Sequence, residues 1–325
     1  MAFSADQLLE KVNTYLATMP YVREPKGLYA PIEYVLSLGG KRIRPVLMLL
    51  SYQLYKENVD DILPQAAGIE TYHNYTLLHD DLMDCADMRR NKPTVHKVWD
   101  ENTAILSGDA MLVLAYRLMN NCPERYLKQV MDIFSQTALE ICEGQQWDME
   151  FETRNDVTVP EYMEMIRLKT SVLLSAALKI GAVLGGASED DARKLYDFGI
   201  KMGLAFQLQD DYLDVYGDSK VFGKNIGGDI LCNKKTFMLI NALALADGIQ
   251  RKELEKCPNS TAFCPEEKIK AVTALYDKIG IGGICEEKIN AYYVEGLSLL
   301  ESMAVPSERK EELKSFVCHL MNRKV

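Results

Sequence analysis

Residues 66–84 read AAGIETYHNYTLLHDDLMD, and residues 191–217 read DARKLYDFGIKMGLAFQLQDDYLDVYG. Apolar residues recur at helical spacing in both stretches, and each closes on three aspartates in the pattern DDxxD. The first set is Asp80, Asp81 and Asp84; the second is Asp210, Asp211 and Asp214. On a helix, residues four apart lie one above the other, so Asp80 shares a face with Asp84, and Asp210 with Asp214. Stacked carboxylates repel, and a hard cation with oxygen ligands relieves that repulsion. Magnesium does so while keeping several waters and bridging to phosphate oxygens. One such triplet is as readily a solvated helix face. Two copies point to paired carboxylate clusters holding divalent metal against a polyanionic substrate. The spacing does not match the calcium loop of an EF-hand, and four histidines without HExxH give no zinc site.

Outward from these stretches, helical spacing continues. LLEKVNTYL, PIEYVLSLGG, RPVLMLLSYQLY, ENTAILSGDAMLVLAYRLM and QVMDIFSQTALEICEGQQWDM all carry it. Ser4 with Gln7, Thr158 with Glu161 (Pro160 between them), and Ser188 with Asp191 mark helix starts. Gly39-Gly40 breaks a helix before Lys41, and Val172–Ala187 reads as an interior helix ending near Gly185-Gly186. Strand alternation is almost absent. The expectation is a single all-α domain over residues 1–325, built of long helices. Between Tyr216 and Lys235, GDSKVFGKNIGGDILCNKK is rich in glycine and lysine, and residues 217–235 are expected to form a loop that covers the substrate as a flap. Cys257–Pro265 is a second break, and SERKEELKSFVCHLM is a charged final helix.

Composition narrows the function classes. The 325 residues are 48% hydrophobic, enough for a large core, and the formal charge of −10 argues against a nucleic-acid partner. None of the eight cysteines forms a CxxC pair, and no secretion signal opens the chain, so a reduced cytoplasmic protein is expected. No uninterrupted apolar run reaches the roughly 18 residues of a membrane span, so no transmembrane segment is expected. Within this acidic chain the cations are placed in a complementary way. Lys41, Arg42 and Arg44 stand in GGKRIRP, Arg89 and Arg90 follow the first triplet, Lys169 precedes Thr170, and Lys224, Lys234 and Lys235 lie in the expected flap. Arginine offers a fork and lysine a mobile point charge to phosphate oxygens.

Taken in order, GGKRIRP, HNYTLLHDDLMD, RRNKPT, LSGDA, GQQWD, Lys169-Thr170, FQLQDDYLD and GKNIGGDILCNKKT resemble the trans-isoprenyl diphosphate synthases, the family of farnesyl, geranylgeranyl and longer polyprenyl diphosphate synthases. The likeness runs from Gly39 to Thr236. It implies a bundle of long helices around a deep central cavity, usually in a homodimer. It implies that Asp80, Asp84 and Asp210 bind Mg²⁺, with Asp81, Asp211 and Asp214 in support. Three ions are expected with diphosphate bound, with Mn²⁺ as a substitute metal. By the same resemblance, Arg89, Lys169 and Lys224 touch the allylic diphosphate and Lys234 lies near it. Lys41, Arg44, His73 and Arg90 hold isopentenyl diphosphate, and Thr170 and Gln207 line the reaction centre. The implied chemistry is ionisation of an allylic diphosphate (dimethylallyl, geranyl or farnesyl), attack by isopentenyl diphosphate, and loss of a proton.

In that family, bulky residues upstream of the first triplet stop chain growth. Tyr75 stands five residues before Asp80, Tyr72 one turn earlier, and the small Thr76 beside them, which favours a C15 or C20 product. Asp100, Asn91 and Asn233 depart from glycines common in relatives; asparagine tolerates the left-handed conformation that glycine otherwise supplies. Rival readings are a longer-chain synthase, a magnesium-dependent terpene cyclase and a noncatalytic subunit of a heteromeric prenyltransferase. The second DDYLD and GGKRIRP oppose the cyclase, and the intact triplets and arginine pair oppose the noncatalytic subunit.

Overall fold

A computed structural model of the chain describes residues 3–20, 23–217, 226–256 and 264–321. The fold is all-α, with helices α1 (Ala5–Thr18), α2 (Lys26–Ser37), α3 (Ile43–Gln53), α4 (Leu63–Met83), α5 (Val95–Val98), α6 (Glu101–Met119), α7 (Glu124–Thr153), α8 (Val159–Ile166), α9 (Val172–Gly185), α10 (Glu189–Tyr216), α11 (Gly228–Leu231), α12 (Phe237–Leu245), α13 (Gly248–Lys256), α14 (Pro265–Ile279), α15 (Ile281–Glu301) and α16 (Ser307–Met321). Helix starts follow the cap chemistry read from the sequence. Ser4 with Gln7 and Thr158 with Glu161 form reciprocal capping boxes, and Ser188 Oγ accepts from the Asp191 N–H at 3.1 Å. Two elements differ from expectation. Residues 228–231, read as loop, form the short α11, and residues 88–93 form a small antiparallel hairpin of β1 (Met88–Arg89) and β2 (Lys92–Pro93). Neither is long enough to show a period in the sequence.

The chain groups into two compact units. The first comprises Met1–Ser135, Ala176–Leu195 and Ala304–Leu313. Here α4 packs on α3 and α6, and Ile32, Leu36, Leu78, Ala104 and Met111 form a buried cluster. Burying each such side chain contributes about 1.5–3 kcal/mol where it is large. Gly68 lets α4 approach α6 closely, since a Cβ there would stand 3.0 Å from the Leu118 Cβ. The second unit comprises Gln136–Ser175, Tyr196–Met303 and Lys314–Val325. Its α12 packs on α8, α14 and α15 over a core that includes Tyr162, Leu208, Phe237 and Tyr276.

The interior helix expected from Val172 forms as α9 and ends at Gly185, and the chain upstream of it is helical too. Helices α8 and α9 are joined through a π-helical turn, Arg167–Ser171, into one continuous helix, Val159–Gly185. That helix is long and apolar enough by length and composition alone to pass for a membrane span. Arg167, Lys169 and Thr170 interrupt its apolar run and hid it from an uninterrupted-run criterion. Its apolar window is 83% buried inside the protein, so it reads as a core helix.

Candidate active site

The first unit presents one carboxylate set and a cluster of cations. Asp80 and Asp84 lie at the end of α4, with Asp80 half-buried and Asp84 exposed. Asp81 faces the other way and is only 5% exposed. Both of its oxygens accept from Arg89 Nε, at 2.9 and 3.1 Å, and Arg89 Nη2 donates to Oδ1 at 2.5 Å. The hairpin supplies that arginine. Its turn residues Arg90 and Asn91 have φ of 52° and 60°, the left-handed pair that tight hairpins require. Asn91 is thus placed where an asparagine substitutes well for glycine.

Arg90 reaches back to the glycine pair. Its Nη1 donates to the Gly39 carbonyl and, at 3.4 Å, to Asn74 Oδ1. A Cβ at Gly40 (φ 129°) would stand 2.8 Å from the Arg90 Cζ, so this approach needs glycine. Arg42, grouped by sequence with the phosphate-binding cations, is structural. It is buried, pairs with buried Glu70 at 2.7 Å, and donates to the Leu36 carbonyl. Arg44 Nη1 lies 3.0 Å from His73 Nε2, and its Nε is buried without a hydrogen-bond partner. Burial lowers the Arg44 pKa to about 10, with Arg90 adding to the effect and Glu70 opposing it. Burial, followed by the charges of Arg44, Arg90, Arg89 and Arg42, drives the His73 imidazole well below its ordinary value. His73 is therefore neutral. Arginine only donates, so Nε2 accepts and Nδ1 carries the proton. A crowded cationic cluster with one unpartnered buried donor is suited to an anion. Lys41 is exposed beside it.

Behind Asp80, aromatic rings stack along α4. Tyr75 contacts Tyr72 at 5.4 Å between centroids, Tyr72 contacts Phe134 at 5.2 Å, and Phe134 contacts Tyr116 at 4.9 Å. Tyr72 and Phe134 are almost fully buried. Thr76 turns its hydroxyl back to the His73 carbonyl at 2.8 Å. Asp100, the third departure from family glycines, caps α6, accepting from the Thr103 N–H at 2.8 Å.

The second unit repeats the division seen at the first triplet. Asp210 and Asp214 are half-buried, whereas Asp211 is 3% exposed. Asp211 accepts from the Tyr162 hydroxyl and from Gln207 Nε2 at 3.2 Å. Burial raises its pKa to about 7, with Asp229 adding and the Tyr162 hydrogen bond opposing. Gln207 Oε1 in turn accepts from Thr170 Oγ1 at 3.3 Å. Asp214 Oδ2 accepts from the Asp229 N–H at 3.0 Å. The π turn carries Lys169 and Thr170, and Lys169 Nζ pairs with Asp148 at 2.6 Å. Burial would raise the Asp148 carboxyl, but Lys234 and Lys169 outweigh it and hold it below the usual carboxylate range. Lys234 follows α11 and is exposed. Lys224 and the rest of residues 218–225 in the expected flap lie outside the described residues.

Sequence reasoning missed Tyr162, Asp148 and Asp229. Asp148 ends the GQQWD motif and could have been singled out there; nothing in the sequence links Tyr162 to a residue 49 positions away. The donor set fits magnesium. Asp80, Asp84, Asp210 and Asp214 bring carboxylate oxygens to helix ends, Asp80 near Arg89 Nη2 at 3.9 Å and Asp214 beside the Asp229 N–H, while Asp81 and Asp211 are the more deeply buried. Among the described residues no three carboxylate, histidine or cysteine side chains converge into a closed cage. Carboxylates at helix ends suit an ion that takes one or two of them and completes its shell with water and phosphate.

Two helices that each close on a DDxxD motif, with a cationic cluster in the first unit, are the residue types that a diphosphate-handling all-α enzyme needs. The polyprenyl synthetase family profile matches residues 25–276. The short chain isoprenyl diphosphate synthase of Methanocaldococcus jannaschii is 41% identical over 273 residues, covering 84% of this chain and 83% of that protein. A crystal structure of a geranylgeranyl pyrophosphate synthase superposes with a TM-score of 0.91 at 44% identity, covering 99% of this chain and 98% of the other. A geranylgeranyl pyrophosphate synthase from Corynebacterium glutamicum, complexed with isoprenyl diphosphate and magnesium, superposes at 0.88 with 26% identity, covering 99% of this chain and 100% of the other. The chain belongs to the polyprenyl synthetase family. It is a prenyltransferase of the short-chain trans-isoprenyl diphosphate synthase type, condensing isopentenyl diphosphate with allylic diphosphates.

Proposed function

We propose that this enzyme makes geranylgeranyl diphosphate, the C20 product, from isopentenyl diphosphate and shorter allylic diphosphates. The observation that carries the length is the aromatic stack behind Asp80: Tyr75 lies against Tyr72, and Tyr72 is backed by buried Phe134. A rigid aromatic floor ends elongation early, while Thr76 leaves more room than a second ring at that position. The naming of the 44%-identical structure as a geranylgeranyl pyrophosphate synthase supports C20 over C15.

In the proposed reaction the allylic C1–O bond breaks, C4 of isopentenyl diphosphate bonds to that carbon, and a proton leaves C2 to the departed diphosphate. Asp80, Asp84 and Asp210 would hold Mg²⁺, which would supply neutralisation of charge on the leaving diphosphate. Arg89, Lys169 and Lys234 add fixed positive charge at that same group. Thr170 Oγ1 and Gln207 Oε1 present oxygens to the allylic cation. Lys41, Arg44 and Arg90 grip the diphosphate of isopentenyl diphosphate, and neutral His73 donates to it from Nδ1. Asp81 and Asp211 act indirectly, by orienting Arg89 and Gln207.

Incubation with isopentenyl diphosphate, each allylic primer and Mg²⁺, followed by chain-length analysis, tests the reading. A C20 product is expected. A product of C15, or of C30 and longer, overturns the proposed length, and absence of condensation with every primer overturns the reaction. Tyr75→Ala should shift the distribution toward longer chains; an unchanged distribution removes Tyr75 from the floor. We also propose a cytoplasmic homodimer. Leu106 and Val113 on α6 are 60% and 59% exposed, and the dimer should sediment at about twice the mass of the 36.8 kDa chain. A species of single-chain mass counts against it.

A further inference from the structure

Residues 226–236 follow the second triplet and carry Lys234. Their backbone is a complete helix-ending motif. Helix α11 ends at Leu231 with Cys232 as its cap, and the next residue, Asn233, has φ of 55°. The Asn233 N–H donates to the Ile230 carbonyl at 3.2 Å, and the Lys234 N–H to the Asp229 carbonyl at 2.9 Å. These paired bonds form a Schellman motif, whose left-handed position is most often glycine. Asparagine is the best substitute there but still carries a Cβ cost.

A side chain from α14 meets that position. Lys268 Nζ donates to Asn233 Oδ1 at 2.7 Å and to the Leu231 carbonyl at 3.1 Å. One ammonium thus satisfies a helix-end carbonyl and clamps the side chain of the strained residue. The other end of the segment is held separately, by the Gly227 N–H on the Asp214 carbonyl at 2.6 Å and the Asp229 N–H on Asp214 Oδ2 at 3.0 Å. Lys234 therefore leaves a turn fixed on one side by the second triplet and on the other by Lys268. Glycine at position 233 would need no clamp. It would also leave the oxygen contact to Lys268 unavailable, so the pair Asn233–Lys268 works as a unit.

We propose that Lys268 is a positioning residue of this reaction. By clamping the left-handed Asn233 turn it sets where the Lys234 ammonium stands, an inference that rests on the reading that Lys234 contacts the allylic diphosphate. Lys268 touches neither substrate nor metal in this scheme. Its effect passes through two residues of backbone.

The test uses the full chain with Lys268→Met, Lys268→Arg, Lys234→Ala, and Lys268→Met combined with Asn233→Gly. Lys268→Met should raise KM for the allylic diphosphate roughly three- to tenfold, with KM for isopentenyl diphosphate unchanged, the signature of a displaced binding contact. Lys268→Arg, which still donates, should restore wild-type behaviour. Asn233→Gly should suppress the Lys268→Met defect, because glycine takes the left-handed conformation unaided. A Lys268→Met enzyme with wild-type kinetics, beside a defective Lys234→Ala, overturns the inference alone. So does an equal rise in both KM values that Asn233→Gly does not suppress. Lys234→Ala with an unchanged allylic KM overturns the reading of Lys234 on which the inference rests. Thermal melts separate these outcomes from loss of fold: Lys268 is only partly buried, so the melting point of Lys268→Met should stay close to wild type.

Discussion

Gly144→Ala should leave a folded enzyme that turns over about 100-fold more slowly, the scale of loss expected when reacting groups are misplaced by about 1 Å. The π turn that carries Lys169 and Thr170 is pressed against two glycines. A Cβ at Gly144 would collide with the Lys169 amide nitrogen and stand 2.8 Å from the Leu168 carbonyl carbon. A Cβ at Gly203 would stand 2.7 Å from Ser171 Cα. These neighbours are backbone and cannot rotate aside, so the methyl group must displace the turn itself. Overpacking of this kind costs about 1–3 kcal/mol of stability. The kinetic cost is larger, because Lys169 and Thr170 lose their register with Asp148 and Gln207. The expected signature is a fall in kcat with little change in KM for isopentenyl diphosphate, measured by steady-state kinetics. Gly283→Ala is the control. It lies on α15 with nothing within 4 Å of the added carbon, and should keep full activity while gaining up to about 1 kcal/mol of helix stability. Equal losses in Gly144→Ala and Gly283→Ala would sink the argument.

The clamp also marks where sequence reading stops. Helices and caps were legible because they rest on local rules: Ser4 with Gln7 and Thr158 with Glu161 are three residues apart, and each box formed. Asn91 and Asn233 were legible as left-handed positions because few residues tolerate that conformation. The π turn was not. It arises where two helix surfaces, carrying Gly144 and Gly203, press on one segment, and no periodicity in the residues of that segment announces it. Arg42 shows the same limit from the other side. It shares a motif with Lys41 and Arg44, yet its left-handed backbone turns it inward to Glu70, a partner 28 positions away. Composition and order identified the triplets; only tertiary pairing separates the aspartates within them.

That separation predicts different failures for neighbouring carboxylates. Asp80→Asn should lower kcat by about 10²–10³-fold, the usual cost of losing one group that stabilises developing charge. On the proposed reading of Asp80 as a magnesium ligand, it should also raise the Mg²⁺ concentration needed for half-maximal rate. Asp81→Asn should slow the enzyme by another route. Its two oxygens are occupied by Arg89, and the residue is buried. Removing its charge leaves the Arg89 guanidinium with a weakened partner, so KM for the allylic diphosphate should rise while the Mg²⁺ dependence stays near wild type. Asp211→Asn should likewise leave the Mg²⁺ dependence near wild type, since Tyr162 and Gln207 occupy it, with its loss falling on kcat through Gln207. Asp210→Asn should behave like Asp80→Asn. Magnesium titrations of the four variants at saturating substrate decide the matter. If all four shift the Mg²⁺ dependence equally, the buried aspartates are metal ligands too, and the pairing described here does not survive substrate binding. If only Asp80→Asn and Asp210→Asn shift it, the same division of labour holds in both triplets: one carboxylate turned inward to aim a neighbour, and its accessible companions left to hold the ion.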